Sequence, residues 1–410
     1  MLTHRVVVTG VGAYSPVGNN WTEIEHSFKN LKNGVRHIDA WDEYDGLNTK
    51  LGAPVASFEM PASFNRKRTR SMGRVALLAT AASEKALLDA GLLGDPVLKS
   101  GRVGVAYGSS TGSTDAAADF VNMLRTKCLD GITATTYIRM MGHTTPVNIG
   151  VFFGLQGRVV TTSSACTSGS QGIGYAYEAI RSGSQDMMLA GGAEELCPTE
   201  AAVFDTLYAT STCNDKPETS PRPFDRDRDG LVIGEGACTL VLERRDHARA
   251  RGAKIYAELV GFDTNSDGAH VTQPAAETMQ RVMELSLADA GLGPEAIGYV
   301  SAHGTATDRG DIAESHATHN VFGDNTPISS IKSYMGHTLG ACGALESWLA
   351  IEMMNNGWFA PTINLDNVDP ECAPLDYIRG AGRKLDVEYI MNNNFAFGGI
   401  NTSLIFRRHA

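Results

Sequence analysis

Apolar residues along this chain follow two alternating patterns: short unbroken runs, and longer stretches with apolar positions three and four apart. "RVVVTGVG", "RVGVAYGSS", "RVVTTSSA" and "DMMLAGGAEE" are runs of the first kind, each ending in small or turn-forming residues. Runs of this length bounded by turn residues predict buried strands. Between them, "RVALLATAASEKALLDAGL" and "SGSQGIGYAYEAIRSG" have helical spacing. A second series follows with "AKIYAELVGFDTNSDG", "TMQRVMELSLADAGL", "IGYVSAHGTAT", "ALESWLAIEMMNNG" and "EYIMNNNFAFGGINTSLIFRR". Strand–helix alternation on this scale predicts an α/β protein with mostly parallel sheets in layers. The charged stretch "LERRDHARARGAKI" is the natural seam, giving halves 1–250 and 251–410 with similar element patterns but no sequence repeat. The N-terminal "VTGVGAYSPVG" places its glycines at 10, 12 and 18, which does not fit GxGxxG, so it reads as a strand and turn.

Composition narrows the function classes. With 410 residues, 42% hydrophobic and 20% charged, the chain has an ordinary soluble balance and room for two sizeable halves. A net charge of −11 argues against a general nucleic-acid binder. One basic run departs from it: "FNRKRTRSMGR" carries Arg66, Lys67, Arg68, Arg70 and Arg74, which by itself reads as a solvated helix face. The seven cysteines are odd in number and lack CxxC spacing, which argues against zinc or a disulfide framework and fits a reducing compartment. No signal peptide and no apolar run of about 18 residues is visible, so a cytoplasmic protein without a membrane span is expected.

Four stretches carry candidate chemistry. In "TTSSACTSGSQGIGYAYEAI", Cys166 precedes a helix-like run, where backbone N–H groups and the helix dipole favour a thiolate near neutral pH. A buried apolar cysteine is an equally open reading of that stretch alone. In "SAHGTATDRGD", His303 follows an apolar run, at the strand end where α/β sheets place their sites. In "SSIKSYMGHTLGACGALES", His337 is expected at the start of a helix, five residues after Lys332, with Glu346 nine further on. That position biases a histidine to its neutral, donating form. In "NNNFAFGGINTSLIF", Phe395 and Phe397 precede a Gly–Gly pair able to turn a backbone N–H into a site. Taken together, one nucleophile, two histidines, a lysine and a donor turn suit carbon–acyl chemistry on a thioester.

At these residues the chain resembles the β-ketoacyl-acyl-carrier-protein synthase II family, the elongating condensing enzymes of the thiolase fold. "SSACTSG", "AHGTATDRGD", "KSYMGHTLGACGALES" and "NNFAFGGIN" stand in that family's order and spacing, and the likeness covers essentially the whole chain. The resemblance implies two similar halves layered α/β/α/β/α, with Cys166 in the first and both histidines in the second. It implies a decarboxylative Claisen condensation of malonyl-carrier protein with an acyl chain on Cys166. In that scheme His303 and His337 hold the thioester oxygen of the malonyl group. The N–H groups of Cys166 and Phe397 receive the oxyanion, each such donor typically being worth about 3 to 4 kcal/mol. Lys332 and Glu346 become a buried support, Phe397 also a gate, and Thr305, Thr307 and Thr272 contacts for the phosphopantetheine arm. No metal or resident cofactor is implied, since phosphopantetheine arrives on the carrier protein. Against an acidic carrier protein, Arg66, Lys67, Arg68 and Arg70 change from a solvated face to a docking patch.

The chain departs from the common pattern at "AFGGIN", at Thr111 near the expected pocket floor, and across "TATTYIRMMGHTT". These departures bear on the acyl chain rather than the chemistry, and with "AEELCPTEAAVFDTL" they look most like the ketosynthases of bacterial aryl polyene pathways. A homodimer is the family default, and a heterodimer with a related ketosynthase-like chain is the variant. The rival reading is a catalytically silent chain-length-factor-like partner subunit. Such partners usually lack the nucleophile, and this chain keeps Cys166 with both histidines. Thiolases use a second cysteine near the C-terminus, where this chain has "FAFGGIN". A Cys–His hydrolase would leave Lys332 and one histidine without work.

Overall fold

A computed structural model describes residues 3–409. Eleven strands form its main sheet: Val6–Tyr14 (β1), Val103–Gly108 (β2), Val159–Thr161 (β3), Met187–Glu194 (β4), Gly236–Arg244 (β5), Ala257–Ser266 (β6), Ile297–Ser301 (β7), Pro327–Ser329 (β8), Asp376–Tyr377 (β9), Tyr389–Ala396 (β10) and Ile400–Arg408 (β11). Their order is β9-β8-β7-β10-β11-β6-β1-β5-β4-β2-β3. In the first half β2 lies parallel to β3 and β4, while β5 is antiparallel to β4 and β1. The second half repeats this scheme. There β7 is parallel to β8 and β10, and β11 is antiparallel to β10 and β6. The halves meet where Val6–Val8 pair with Ala257–Leu259, so two half-sheets with mirrored strand order become one hydrogen-bonded sheet.

The helices complete the layers. Arg74–Asp89 (α1) covers β1 and β5 on one outside face, and Ala276–Ala290 (α3) covers β6 and β11 on the other, with Asp308–Phe322 (α4) beside it. Ser168–Arg181 (α2) and Cys342–Asn356 (α5) pack against each other and against strands of both halves. α5 is enclosed on every side: from Cys342 to Ile351 every residue is buried, and the polar ones among them, Glu346 and Ser347, are satisfied by Lys332 with Asn394 and by the Gly343 carbonyl. The layered α/β arrangement is as the sequence predicts, but the sheet is not mostly parallel. Five of its strand pairings are parallel and five antiparallel, because the first and last strands of each half pair only antiparallel.

The two central helices approach closely because their first turns meet glycine. A Cβ on Gly192 of β4 would lie 2.0 Å from the Gly340 carbonyl oxygen and 2.9 Å from Gly169 Cα. Only a bare Cα lets both turns close on that strand, and this closure brings the cysteine of one half to the histidines of the other.

Two local expectations change. "RVVTTSSA" supplies only Val159–Thr161 as strand, and these residues are exposed or half-exposed, because β3 is the free edge of the sheet. The helix expected at His337 begins at Cys342; His337 instead stands between the short helix Lys332–Met335 and a 3-10 turn, Leu339–Ala341.

Candidate active site

Cys166 sits in a single 3-10 turn, Ala165–Thr167, that leads directly into α2. The hydroxylated residues around it satisfy the backbone of that tight turn. Ser168 Oγ accepts from the Ser164 N–H at 2.9 Å and donates to the Ala165 carbonyl at 2.7 Å, and Thr167 Oγ1 donates to the Ser164 carbonyl at 2.8 Å. Ala165 is held at φ +49°, a left-handed conformation that costs alanine roughly 1 kcal/mol. The strain turns Cys166 out of the strand direction toward the second half.

His337 Nε2 lies 2.9 Å from Cys166 Sγ. Its Nδ1 accepts from the Leu339 N–H at 3.3 Å, which leaves the ring proton on Nε2, aimed at sulfur. His303 lies two residues past β7, its ring centroid 5.2 Å from that of His337 and nearly perpendicular to it. The Lys332 ammonium is 3.2 Å from His303 Nδ1, so this ring too carries its proton on Nε2. Burial, then Lys332, push the pKa of both imidazoliums well below the ordinary range and keep both rings neutral.

Lys332 is itself fully buried. Burial works against its ammonium, yet Glu346 holds it above its ordinary value through a direct ion pair. The other Glu346 oxygen accepts from Asn394 Nδ2 at 2.6 Å. Lys332 thus keeps a permanent donor on His303 without offering a proton of its own. The ligand atoms of Cys166, His303 and His337 lie within 4.8 Å of one another, a spacing compatible with a metal ion. Metal-binding imidazoles direct their other N–H to an acceptor, whereas both Nδ1 atoms here face donors. The trio is set to donate hydrogen bonds.

The Cys166 thiol differs from expectation. Burial raises it to about 12, and Lys332 with the Phe397 and Cys166 N–H groups lowers it only in part. Desolvation outweighs the helix terminus, so the resting group is a thiol, not a thiolate. Cys166 stands in α2's entry turn and Phe397 in the β10–β11 hairpin, and both border one cavity. The hairpin reverses through Gly398 and Gly399 at φ +88° and +68°, the unusual angles expected of that pair. Phe397 stacks at 4.9 Å on Phe204, and Phe395 meets the His303 ring edge-on.

A cavity of about 570 Å³ reaches Cys166, both histidines, Thr305, Thr307, Thr272 and Phe397 together. The Thr305 and Thr307 hydroxyls are 2.9 Å apart. Thr111 lies outside this cavity, exposed, with its hydroxyl on its neighbour's carbonyl. Arg66, Lys67, Arg68 and Arg70 lie on or next to the short surface helix Arg66–Thr69, capped by Asn65, and all four are exposed. Arg68 is tied into the fold: its guanidinium donates to the Phe152 carbonyl at 2.7 Å and lies 3.5 Å over the Phe152 ring. Among the described residues Arg66, Lys67 and Arg70 have no carboxylate partner.

Two residues were missed by the sequence reading. Glu314 accepts from the His303 and Gly304 N–H groups at 2.7 and 2.6 Å, and Asp311 accepts from Phe224, Thr305 and Ala306. Burial raises them to about 8 and about 6 respectively. Both lie on α4 in "TDRGDIAES", and only the fold-back of that helix shows what they hold.

Comparison with known proteins agrees with this geometry. The family described as "Beta-ketoacyl synthase, N-terminal domain" matches residues 3–248, and "Beta-ketoacyl synthase, C-terminal domain" matches 256–366. The 3-oxoacyl-[acyl-carrier-protein] synthase 2 of Vibrio cholerae is 38% identical, covering 100% of both chains. A beta-ketoacyl synthase crystal structure from Burkholderia phymatum STM815 has TM-score 0.98 and 60% identity, covering 99% of this chain and 100% of that one. The ishigamide ketosynthase/chain length factor has TM-score 0.90 and 32% identity over 100% of both chains. Fold, site and sequence similarity converge: the chain belongs to the β-ketoacyl synthase family.

Proposed function

We propose that this protein is a 3-oxoacyl-[acyl-carrier-protein] synthase acting by two half-reactions at one cavity. The observation that carries the reading is the 2.9 Å approach of His337 Nε2 to Cys166 Sγ, with His303 and the Phe397 turn in the same cavity. In the first half-reaction Cys166 sulfur bonds the acyl carbon and the carrier thiol leaves with the proton that the cysteine gives up. In the second, the malonyl C–C bond breaks to release carbon dioxide. The electron pair forms an enolate, whose oxygen accepts from the Nε2–H groups of His303 and His337. The enolate carbon attacks the acyl-Cys166 carbonyl, the oxyanion sits against the Cys166 and Phe397 N–H groups, and expulsion of the thiolate followed by protonation resets the enzyme. Neutral histidines suit this task because they donate without trapping the enolate as an enol.

Thr305, Thr307 and Thr272 line the passage for a phosphopantetheine arm, which arrives on the carrier protein, so no resident cofactor is invoked. Phe397, stacked on Phe204, is placed to gate the acyl chain. Arg66, Lys67 and Arg70 form the carrier-docking patch on a chain of net charge −11, with Arg68 anchoring the patch to the fold. The mirrored strand order supports a division into halves 1–250 and 251–410. A dimer is assigned, homodimeric or with a related ketosynthase-like chain, in fatty-acid or aryl-polyene-type elongation. Seven free cysteines, and no described helix long and apolar enough to cross a membrane, accord with a cytoplasmic setting. Likeness to a ketosynthase/chain length factor pair keeps the silent-subunit reading as the alternative.

Intact-protein mass after mixing with saturated and polyunsaturated acyl-carrier proteins tests this. One added acyl group, absent in Cys166→Ala, is expected. Folded wild-type protein that takes no acyl group from any donor supports the silent-subunit reading instead.

A further inference from the structure

Arg228 is the one strongly buried cation in the cavity wall that the reaction scheme leaves unused. Its side chain is only 2% exposed, and it borders the cavity. Its guanidinium spans three segments. It donates to the Asp308 carbonyl at 3.0 Å and, more weakly, to the Thr307 carbonyl at 3.4 Å. It donates to the carbonyl of Asp225 at 2.8 Å and to Asp369 Oδ2 at 2.5 Å. Its Nε lies 3.7 Å from Asp311 Oδ2. Asp311 in turn gathers the N–H groups of Thr305 and Ala306 at 3.0 and 3.2 Å and of Phe224 at 2.7 Å. The grip matters because Ala306 in the His303–Thr307 turn, and Phe224 in the neighbouring segment that Asp311 also holds, stand at φ +67° and +65°, where L-residues rarely rest.

Resting on the condensing-enzyme reading above, we propose that Arg228 is a positioning residue: it clamps the far end of the His303–Thr307 turn by the Thr307 and Asp308 carbonyls and backs Asp311, which holds Thr305 and Ala306. Lysine offers a point charge at this site and cannot fork to both carbonyls. The groups facing Asp311 explain why one cation matters. Glu314 lies on the same helix, Cys372 and Tyr377 come from the segment packed opposite, and Asp308 and Asp369 share the guanidinium. Arg228 is the only cation paired with Asp311 among the described residues. Burial outweighs Arg228 and the three N–H bonds and brings Asp311 up to about 6. Without the guanidinium the carboxyl protonates at higher pH, and its two oxygens are then no longer both free to accept from the three N–H groups.

The test compares wild type, Arg228→Gln and Arg228→Lys in malonyl-carrier-protein decarboxylation across pH, with Cys166 alkylation by iodoacetamide as a readout independent of the turn. In Arg228→Gln alkylation is expected within twofold of wild type, while KM for malonyl-carrier protein rises about tenfold or more at neutral pH. The rise is expected to be larger near pH 6 than near pH 8.5, as Asp311 takes its proton. Arg228→Lys is expected to show a raised KM with the wild-type pH profile, and it carries the test alone if the glutamine variant does not fold. Unchanged KM in the lysine variant overturns the proposal. So does a loss in Arg228→Gln that is independent of pH and equal for alkylation and decarboxylation. A wild-type protein that neither loads Cys166 nor decarboxylates malonyl-carrier protein refutes the function instead. Wild-type competence with unaffected variants refutes Arg228 alone.

Discussion

Glu346→Gln isolates what a permanently charged lysine does inside this site. The substitution keeps the size of the side chain and an oxygen for Asn394, but removes the carboxylate that balances Lys332, a pair in which both side chains are 1% exposed. Removing one partner of a buried ion pair costs about 3 to 5 kcal/mol. With an unfolding entropy of about 2.1 cal/mol/K per residue, a chain of 410 residues converts that into a Tm loss of roughly 3 to 6 °C. The pH dependence separates this cause from a packing defect. In the wild type Lys332 lies above its ordinary 10.5, so its contribution is complete at neutral pH and is lost only as pH rises through that folded value. In Glu346→Gln burial acts with only the Cys342 and Glu314 interactions left to oppose it, and the folded value is expected to drop below the unfolded one. The penalty is then present at neutral pH and fades as pH climbs toward 10.5. Thermal unfolding at pH 7 and 9.5 should therefore show the gap to wild type closing. Once Lys332 sheds its proton, His303 Nδ1 loses its ammonium donor and the ring is free to change tautomer. Malonyl decarboxylation should fall about 100-fold. A gap that stays constant with pH, or full decarboxylation at neutral pH, would refute the reasoning.

Two further outcomes are expected. His303→Ala should leave acylation of Cys166 intact, measured as protein mass, and abolish malonyl decarboxylation, measured as released carbon dioxide; loss of acylation alone would reassign the residue. Charge reversal at Arg66 and Lys67 should raise KM for the carrier protein at low salt with an unchanged unfolding temperature, and an unchanged KM would return the run to a solvated face. Arg68 is left out of that variant because its reversal would also break the contacts with Phe152.

Much of the site was legible because its residues sit where local rules are strong. "SSACTSG" joins a strand end to a helix, and its hydroxyls are the ones that cap the turn. "AFGGIN" announces a left-handed pair, and that pair makes the turn that sets Phe397 against the cavity of Cys166. The acidity of Cys166 was misjudged because a sequence displays a helix start but not the water removed from it. The neutrality of His337 was right for another reason: burial and Lys332 impose it, and its tautomer comes from the Leu339 N–H, since no α-helix starts there. Glu314, Asp311 and Arg228 were invisible as functional residues because each acts on a turn supplied by a different segment.

The single cavity that reaches Cys166 and both histidines imposes a traffic rule. Acyl and malonyl carriers must use the same lane in turn, and the first carrier has to leave before the second can be served. Each form therefore competes with the other for whichever state of the enzyme is wrong for it. An excess of malonyl carrier occupies unloaded enzyme and wastes carbon dioxide, while an excess of acyl carrier blocks enzyme already loaded. Throughput then peaks at a balanced supply of the two carriers, and their ratio becomes a throttle on chain growth that needs no separate regulatory site.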